Sequence, residues 1–191
     1  MNIALRQPMT LEQFLICEGR QELRWEFDGF QPVAMNGGTV EHSTIQINLL
    51  GALTSRLRGK PCRPHGSHLK IEVAGRIRYP DAFVVCTPVP PGAKVVAEPV
   101  VVFEILSPRT ENEGLVVKNA DHRATPSIQR YVILQQQQTG AMMFTRKGED
   151  WVTELVTGDG AALQMPEIRV VIPLAELYAD VEFPAAEDEP E

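Results

Sequence analysis

Nowhere in the 191 residues is there a run of 18 or more apolar positions, so the sequence offers no membrane-spanning helix. The opening MNIALRQPMTLEQF also lacks the apolar core and small-residue cleavage site of a secretory signal, and a cytoplasmic location is expected. Cysteine is scarce: residues 17, 62 and 86 are odd in number, widely spaced and never arranged as C-x-x-C. That pattern argues against a disulfide framework and fits a reducing compartment, with Cys86 reading as a small core residue at the end of an apolar strand. Internal repeats are absent, and the QQQQ tract is short enough to be a polar hairpin loop.

An excess of basic charge is missing too. The formal net charge is −7, which at first discourages a nucleic-acid partner. The distribution of that charge weakens the objection. Glu187, Asp188, Glu189 and Glu191 crowd into a Pro-flanked end with no apolar anchor, which reads as a solvated acidic tail over residues 181–191. Setting these four aside leaves 21 acidic residues against 18 basic. The run SRLRGKPCRPHGSHLKIEVAGRIR then concentrates Arg56, Arg58, Lys60, Arg63, Lys70, Arg76 and Arg78 against the single acid Glu72, a stretch that could track a phosphate backbone.

What is present fits one domain over residues 1–180. Thr10 is a good N-cap for a short helix carrying Leu11, Phe14 and Leu15 and stopping near Gly19. LRWEF and FQPVAM flank Asp28-Gly29, the pair preferred by two-residue type I′ hairpins. Ile45, Leu49, Leu53 and Leu57 make one apolar face of the main early helix. SHLKIEV, YPDAFVVC and PVVVFEIL then read as strands, the last two apolar on consecutive positions as in a sheet covered on both faces. A second helix is expected over 111–123, weakened by Gly114 and limited by Pro126. QRYVILQ, GAMMFTR, WVTELV and IRVVIP are strand-like, and PLAELYA suggests a short closing helix. The expected class is α+β, a mixed central sheet flanked by helices, with an N-terminal helix and β-hairpin.

Two acids sit oddly against apolar runs. Asp81 stands at the mouth of one strand and Glu104 inside another. Paired carboxylates in a low-dielectric setting repel, raise one another's pKa and invite a cation, and Mg²⁺ is suited to one or two carboxylates plus waters and phosphate oxygens. The plainer reading makes Asp81 a turn cap beside Pro80 and Glu104 the partner of an arginine at a sheet edge. Cys62, His65 and His68 could suit zinc, but only three ligands appear, and a loop feeding a strand is the simpler account.

The ordered series RWEFDG, EH, RYPDAFVVC, VFEILSP, a lysine eleven residues after Ser107, and PSIQRYVIL resembles the Uma-two family within the PD-(D/E)xK restriction-endonuclease superfamily. The likeness runs from about Thr10 to about Leu177. It implies a restriction-endonuclease-like fold and a Mg²⁺- or Mn²⁺-dependent DNA endonuclease. Asp81 matches the Asp of PD and Glu104 the acid of (D/E)xK. The usual lysine slot holds Leu106, and Lys118 on the following helix matches the displaced lysine. Glu26 and Asp28 match an acidic E-x-D-G, and His42 the histidine opening the early helix. Phe30, where the family usually has an acid, and His122, where it often has tyrosine, depart from the pattern.

By this resemblance Asp81, Glu104 and the backbone carbonyl of Ile105 hold the metal, Lys118 orients water or offsets charge, and Glu26 adds a catalytic carboxylate. His42 and Asp28 are accessory. Read from their residues alone, Lys118 has an alternative as an exposed helix lysine, Glu26 as an exposed strand acid and His42 as a hydrogen-bonded core or cap histidine. Cleavage of a duplex further implies a C2 homodimer. The alternative function is a catalytically idle nucleic-acid or protein-binding module of the same fold.

Overall fold

The computed structural model describes residues 8–21, 24–34, 38–106 and 114–183. In chain order the elements are α1 (Leu11–Glu18), β1 (Trp25–Phe27), β2 (Pro32–Ala34), α2 (Val40–Leu57), β3 (Arg63–Gly66), β4 (Lys70–Val73), β5 (Arg76–Arg78) and β6 (Ala82–Val85). They continue as β7 (Val95–Val96), β8 (Pro99–Leu106), α3 (Gly114–Ala124), β9 (Arg130–Gln135), β10 (Ala141–Lys147), β11 (Asp150–Val156), β12 (Ala162–Met165), β13 (Val170–Pro173) and α4 (Leu174–Leu177). The expected acidic tail lies almost wholly outside the described residues, as does the start of the expected 111–123 helix. No helix among the described residues is long and apolar enough to cross a membrane.

The strands divide into three sheets rather than one. A six-stranded sheet runs β11-β10-β9-β8-β6-β3, a five-stranded sheet β2-β1-β5-β4-β7, and β12 pairs with β13. The larger sheet is mixed: β8 and β9 are parallel, and its other neighbours are antiparallel. Its central strands are buried on both faces, as their consecutive apolar residues require. Val101, Phe103 and Ile105 of β8 pack into a core with Ile45, Leu49, Leu53 and Leu57 of α2 and with Leu163, Ile172, Leu174 and Leu177. Val102 points the other way, toward Ile71, Val73, Phe83, Tyr131 and Ile133. A third cluster joins Phe14 of α1 to Phe27, Ile77 and Tyr79, with the Phe14 and Phe27 rings stacked 5.1 Å apart.

Local chemistry explains most boundaries. Thr10 accepts from the Gln13 N–H while Gln13 answers on the Thr10 N–H, a capping box that starts α1. Thr39 caps α2 by accepting from the His42 N–H. The Asp28-Gly29 hairpin is looser than the two-residue turn expected from the dipeptide. Phe27 pairs with Pro32, leaving a four-residue loop in which Gly29 takes φ 97°. Asp28 Oδ1 accepts from the N–H groups of Phe30 (2.8 Å) and Gln31 (2.7 Å), so the turn is closed by a side chain.

Two further expectations are corrected. CRPHGSH is not a plain loop, because Arg63–Gly66 forms edge strand β3, paired antiparallel to β6. That pairing sets Cys62 against Cys86, and the two form a disulfide, leaving Cys17 as the free thiol. Spacing along the chain hid a pairing that cross-strand register creates. It also takes Cys62 out of any zinc set, and His65 is stacked on Phe83 at 5.3 Å.

Candidate active site

Residues Tyr79, Pro80 and Asp81 carry the chain from β5 in the smaller sheet to β6 in the larger one. Three elements therefore converge at this junction. Ala82 pairs with Phe103, so Asp81 arrives opposite Glu104 on the adjacent strand. β1 pairs with β5 through Phe27 and Ile77, which brings Glu26 beside Arg78. Lys118 comes from α3, whose residues 118 and 121 lie three apart on one helical face.

The side chains of Glu26, Asp81 and Glu104 are only 9%, 13% and 13% exposed. Lys118 Nζ bridges two of these acids, 3.2 Å from Glu104 Oε1 and 3.3 Å from Glu26 Oε1. Asp81 is held from two directions. The Ile105 N–H donates to Oδ2 at 2.7 Å, and His42 Nε2 lies 3.2 Å from Oδ1. One helical turn beyond His42, Gln46 Nε2 donates to the Asp81 carbonyl (2.8 Å) and to Ser67 Oγ (3.1 Å). The α2 helix thus fixes both the side chain and the main chain of Asp81.

The electrostatics follow from burial and sign. Burial pushes the Glu104 carboxyl up to about 7; Lys118 pulls against that, while Asp81 and Glu26 add to it. Burial alone would lower Lys118, but Glu104 and Glu26 overcome it and raise the ammonium above its ordinary range. His42 is raised by its bond to Asp81, against desolvation, with further help from Asp81 and Glu104 charge. His122 goes the other way: burial first, then Lys118 and Arg78, drive it to about 3, so it is neutral. Its ring lies 4.5 Å from Tyr131, and neither ring nitrogen nor the Tyr131 hydroxyl has a hydrogen-bond partner among the described residues.

Glu26 is neither exposed nor idle. Besides Lys118 it meets Arg78 (3.4 Å to Oε2) and accepts the Tyr79 N–H (3.1 Å). Arg78 also donates to Asp121 Oδ2, at 2.7 Å from Nη2 and 3.2 Å from Nε, and Arg76 reaches Asp121 Oδ1 at 2.5 Å. This second tier went unseen in the sequence, although Arg76 and Arg78 share a strand face and Asp121 falls one turn after Lys118. Asp28 stands apart from the cluster, spent on its turn. Gly38 was also missed; a Cβ there would come within 3.0 Å of His42 Nδ1, so a side chain would displace the imidazole.

The basic run is largely consumed inside the fold. Arg56 pairs with Glu176, Lys70 with Glu18, Arg76 and Arg78 with Asp121, and Arg78 also with Glu26. As a continuous phosphate-tracking stripe it is therefore corrected. Of its seven Lys and Arg residues only Arg58, Lys60 and Arg63 are exposed.

With the geometry in hand, known proteins supply context. The Uma2 family model, described as "Putative restriction endonuclease", matches residues 11–175. The chain belongs to the Uma2 family. A Uma2-type resemblance read from motifs thus has a counterpart over nearly the whole chain. Over 148 residues the sequence is 29% identical to the uncharacterized protein slr1290 of Synechocystis sp., spanning 75% of this chain and 78% of that protein. A crystal structure of "a putative nuclease belonging to DUF820" from Anabaena variabilis superposes with a TM-score of 0.76 at 19% identity, covering 90% of this chain and 98% of the other. That likeness establishes the restriction-endonuclease-like fold, with its mixed sheets and flanking helices.

Among the described residues no group of three or more His, Cys, Asp and Glu side chains is arranged to hold a metal ion. The site presents instead two carboxylates from adjacent strands. Their partners leave lone pairs free on both Asp81 oxygens and on Glu104, all hard oxygen donors. That set fits Mg²⁺ or Mn²⁺, which keep waters and share their shell with phosphate.

Proposed function

We propose that this protein is a Mg²⁺- or Mn²⁺-dependent DNA endonuclease that hydrolyses phosphodiester bonds. The observation that carries the reading is Lys118, which comes from a helix fourteen residues on and sets its ammonium 3.2 Å from Glu104 where Leu106 leaves the neighbouring lysine slot empty. Membership of a family described as "Putative restriction endonuclease" supports the same class of reaction.

Asp81, Glu104 and the carbonyl of Ile105 would hold the cation. When bound, it supplies Lewis-acid activation of water and offsets negative charge on the phosphate. The rest falls to the chain itself. His42 and the Ile105 N–H fix the Asp81 carboxylate before substrate arrives, so little reorganisation is needed at the moment of reaction. Lys118, kept charged by two acids, offers a cation to the developing oxyanion or a donor to the attacking water. Glu26 acts as the anchor of that lysine. Two copies related by a two-fold axis would present one site to each strand of a duplex.

The test is a nuclease assay on duplex and single-stranded DNA and on RNA, with Mg²⁺, Mn²⁺ or EDTA, beside Asp81→Ala and Glu104→Ala. Metal-dependent cutting of DNA that both substitutions abolish, with folding intact, is the expected result. Full activity in both variants would remove the site. Calorimetric titration of Mn²⁺ separates an enzyme from an idle binding module, since the latter should give no heat that depends on Asp81.

A further inference from the structure

Six charged side chains form a circuit of alternating sign around α3: Arg76, Asp121, Arg78, Glu26, Lys118 and Glu104. It leaves the helix at Asp121, crosses β5 through the two arginines, passes to Glu26 on β1, and returns to the helix at Lys118. Lys118 then reaches out to Glu104 on β8. Arg78 is the hub, 3% exposed, with three of its nitrogens engaged. A guanidinium is planar and always charged, so fixing Nε and Nη2 on Asp121 also fixes where Nη1 points.

Without Asp121 the sum changes. Arg78 would be a buried cation with Glu26 as its one carboxylate partner, and a fork of two N–H donors binds a carboxylate through both oxygens better than an ammonium does. Glu26 would be drawn onto Arg78 and away from Lys118. We propose that Asp121 is a positioning residue: by occupying Arg78 it leaves Glu26 to hold the Lys118 ammonium beside Glu104. Asp121 touches neither acid of the proposed metal pair, so its effect passes wholly through Arg78 and Glu26. The inference rests on the nuclease reading only for its kinetic consequence.

Trace acetylation with acetic anhydride, on metal-free folded protein, reads the Lys118 ammonium directly. Peptide mass spectrometry gives its labelling relative to Lys94 and Lys147, both exposed. Asp121→Asn should raise relative Lys118 labelling at least fivefold, and Asp121→Glu should bring it back to within about twofold of the parent. Asp121→Asn combined with Arg78→Gln, which also removes the guanidinium that would draw Glu26 away, should keep it within about twofold of the parent. Where the parent cuts DNA, Asp121→Asn should lower kcat about tenfold with KM within twofold. Unchanged Lys118 labelling in folded Asp121→Asn overturns the proposal, and if that variant does not fold, a fivefold rise in the Asp121→Asn, Arg78→Gln double variant does so. A released Lys118 with kcat intact overturns its bearing on the reaction. A parent that cuts nothing defeats the nuclease reading while leaving the labelling result to decide the circuit.

Discussion

Glu104 makes the folded protein sensitive to pH in a direction opposite to that of an ordinary carboxylate. Its ordinary value is 4.5, and burial, opposed by Lys118 and aided by Asp81 and Glu26, places it at about 7 in the folded chain. Below 4.5 the group is protonated in both states and neutral in the fold. Between 4.5 and 7 the folded state keeps a proton that the unfolded chain has lost, so stability falls as pH rises. Above about 7 the buried carboxylate is charged and the loss is complete. At 1.36 kcal/mol per pH unit the whole swing is about 3 kcal/mol.

Glu104→Gln isolates that swing, because an amide resembles the neutral acid and cannot ionise. Urea unfolding of parent and variant, in EDTA so that no cation intervenes, should give similar stabilities at pH 4.5. At pH 8 the variant should be the more stable by about 3 kcal/mol, or about 6–12 °C in Tm for a chain of this size. Taking the difference between the two pH values cancels any fixed packing cost of the amide. It also cancels His42, which titrates in both proteins, apart from its coupling to Glu104. A gap between variant and parent that stays the same within about 0.5 kcal/mol from pH 4.5 to 8 would refute the argument from burial.

Other expectations follow from the same contacts. NMR titration should separate the histidines, with His42 above its ordinary 6.5, His65 below it through burial, and His122 neutral down to about pH 3; Asp81→Asn should lower His42. The stability His42 contributes is present below 6.5 and is lost as pH rises through its elevated value. Leu53→Ala, at a fully buried position between α2 and the larger sheet, should cost about 2–5 kcal/mol in urea unfolding. Reduction of the Cys62–Cys86 bridge, which spans 24 residues, should cost about 3–4 kcal/mol, and Cys62→Ser should be insensitive to reductant.

The sequence made the core legible because periodicity reports burial. Ile45, Leu49, Leu53 and Leu57 repeat at helical spacing, and all four are buried as that spacing demands. The consecutive apolar residues of β6 and β8 likewise announced strands covered on both faces. Strands β3, β5, β7 and β12 were not legible. Arg63–Gly66 has no apolar alternation and Arg76–Arg78 carries a single apolar residue, Ile77, so what makes them strands is a partner already in place, a tertiary effect with little local signature. The disulfide was hidden for the same reason, since it depends on the register of β3 against β6.

The candidate site divides along the same line. Asp81 and Glu104 could be singled out because a charge at an apolar position is costly and therefore informative. Lys118 and Glu26 could not be, because an isolated lysine on a helix or acid on a short strand looks like any solvated residue. Their significance is relational. Glu26 is buried with Lys118 as one of its partners, and Lys118, a quarter exposed, offsets two acids whose mutual repulsion would otherwise disfavour the junction between the sheets. Asp121 and Arg78 carry the logic one step further out, compensating one another so that Glu26 keeps an oxygen for Lys118. A buried network of this kind is stable only when every member is matched, so removing a member distant from the metal pair should disturb the arrangement at Glu104. Sequence motifs named the two acids; the charges that poise them emerge only when β1, β5, β8 and α3 meet.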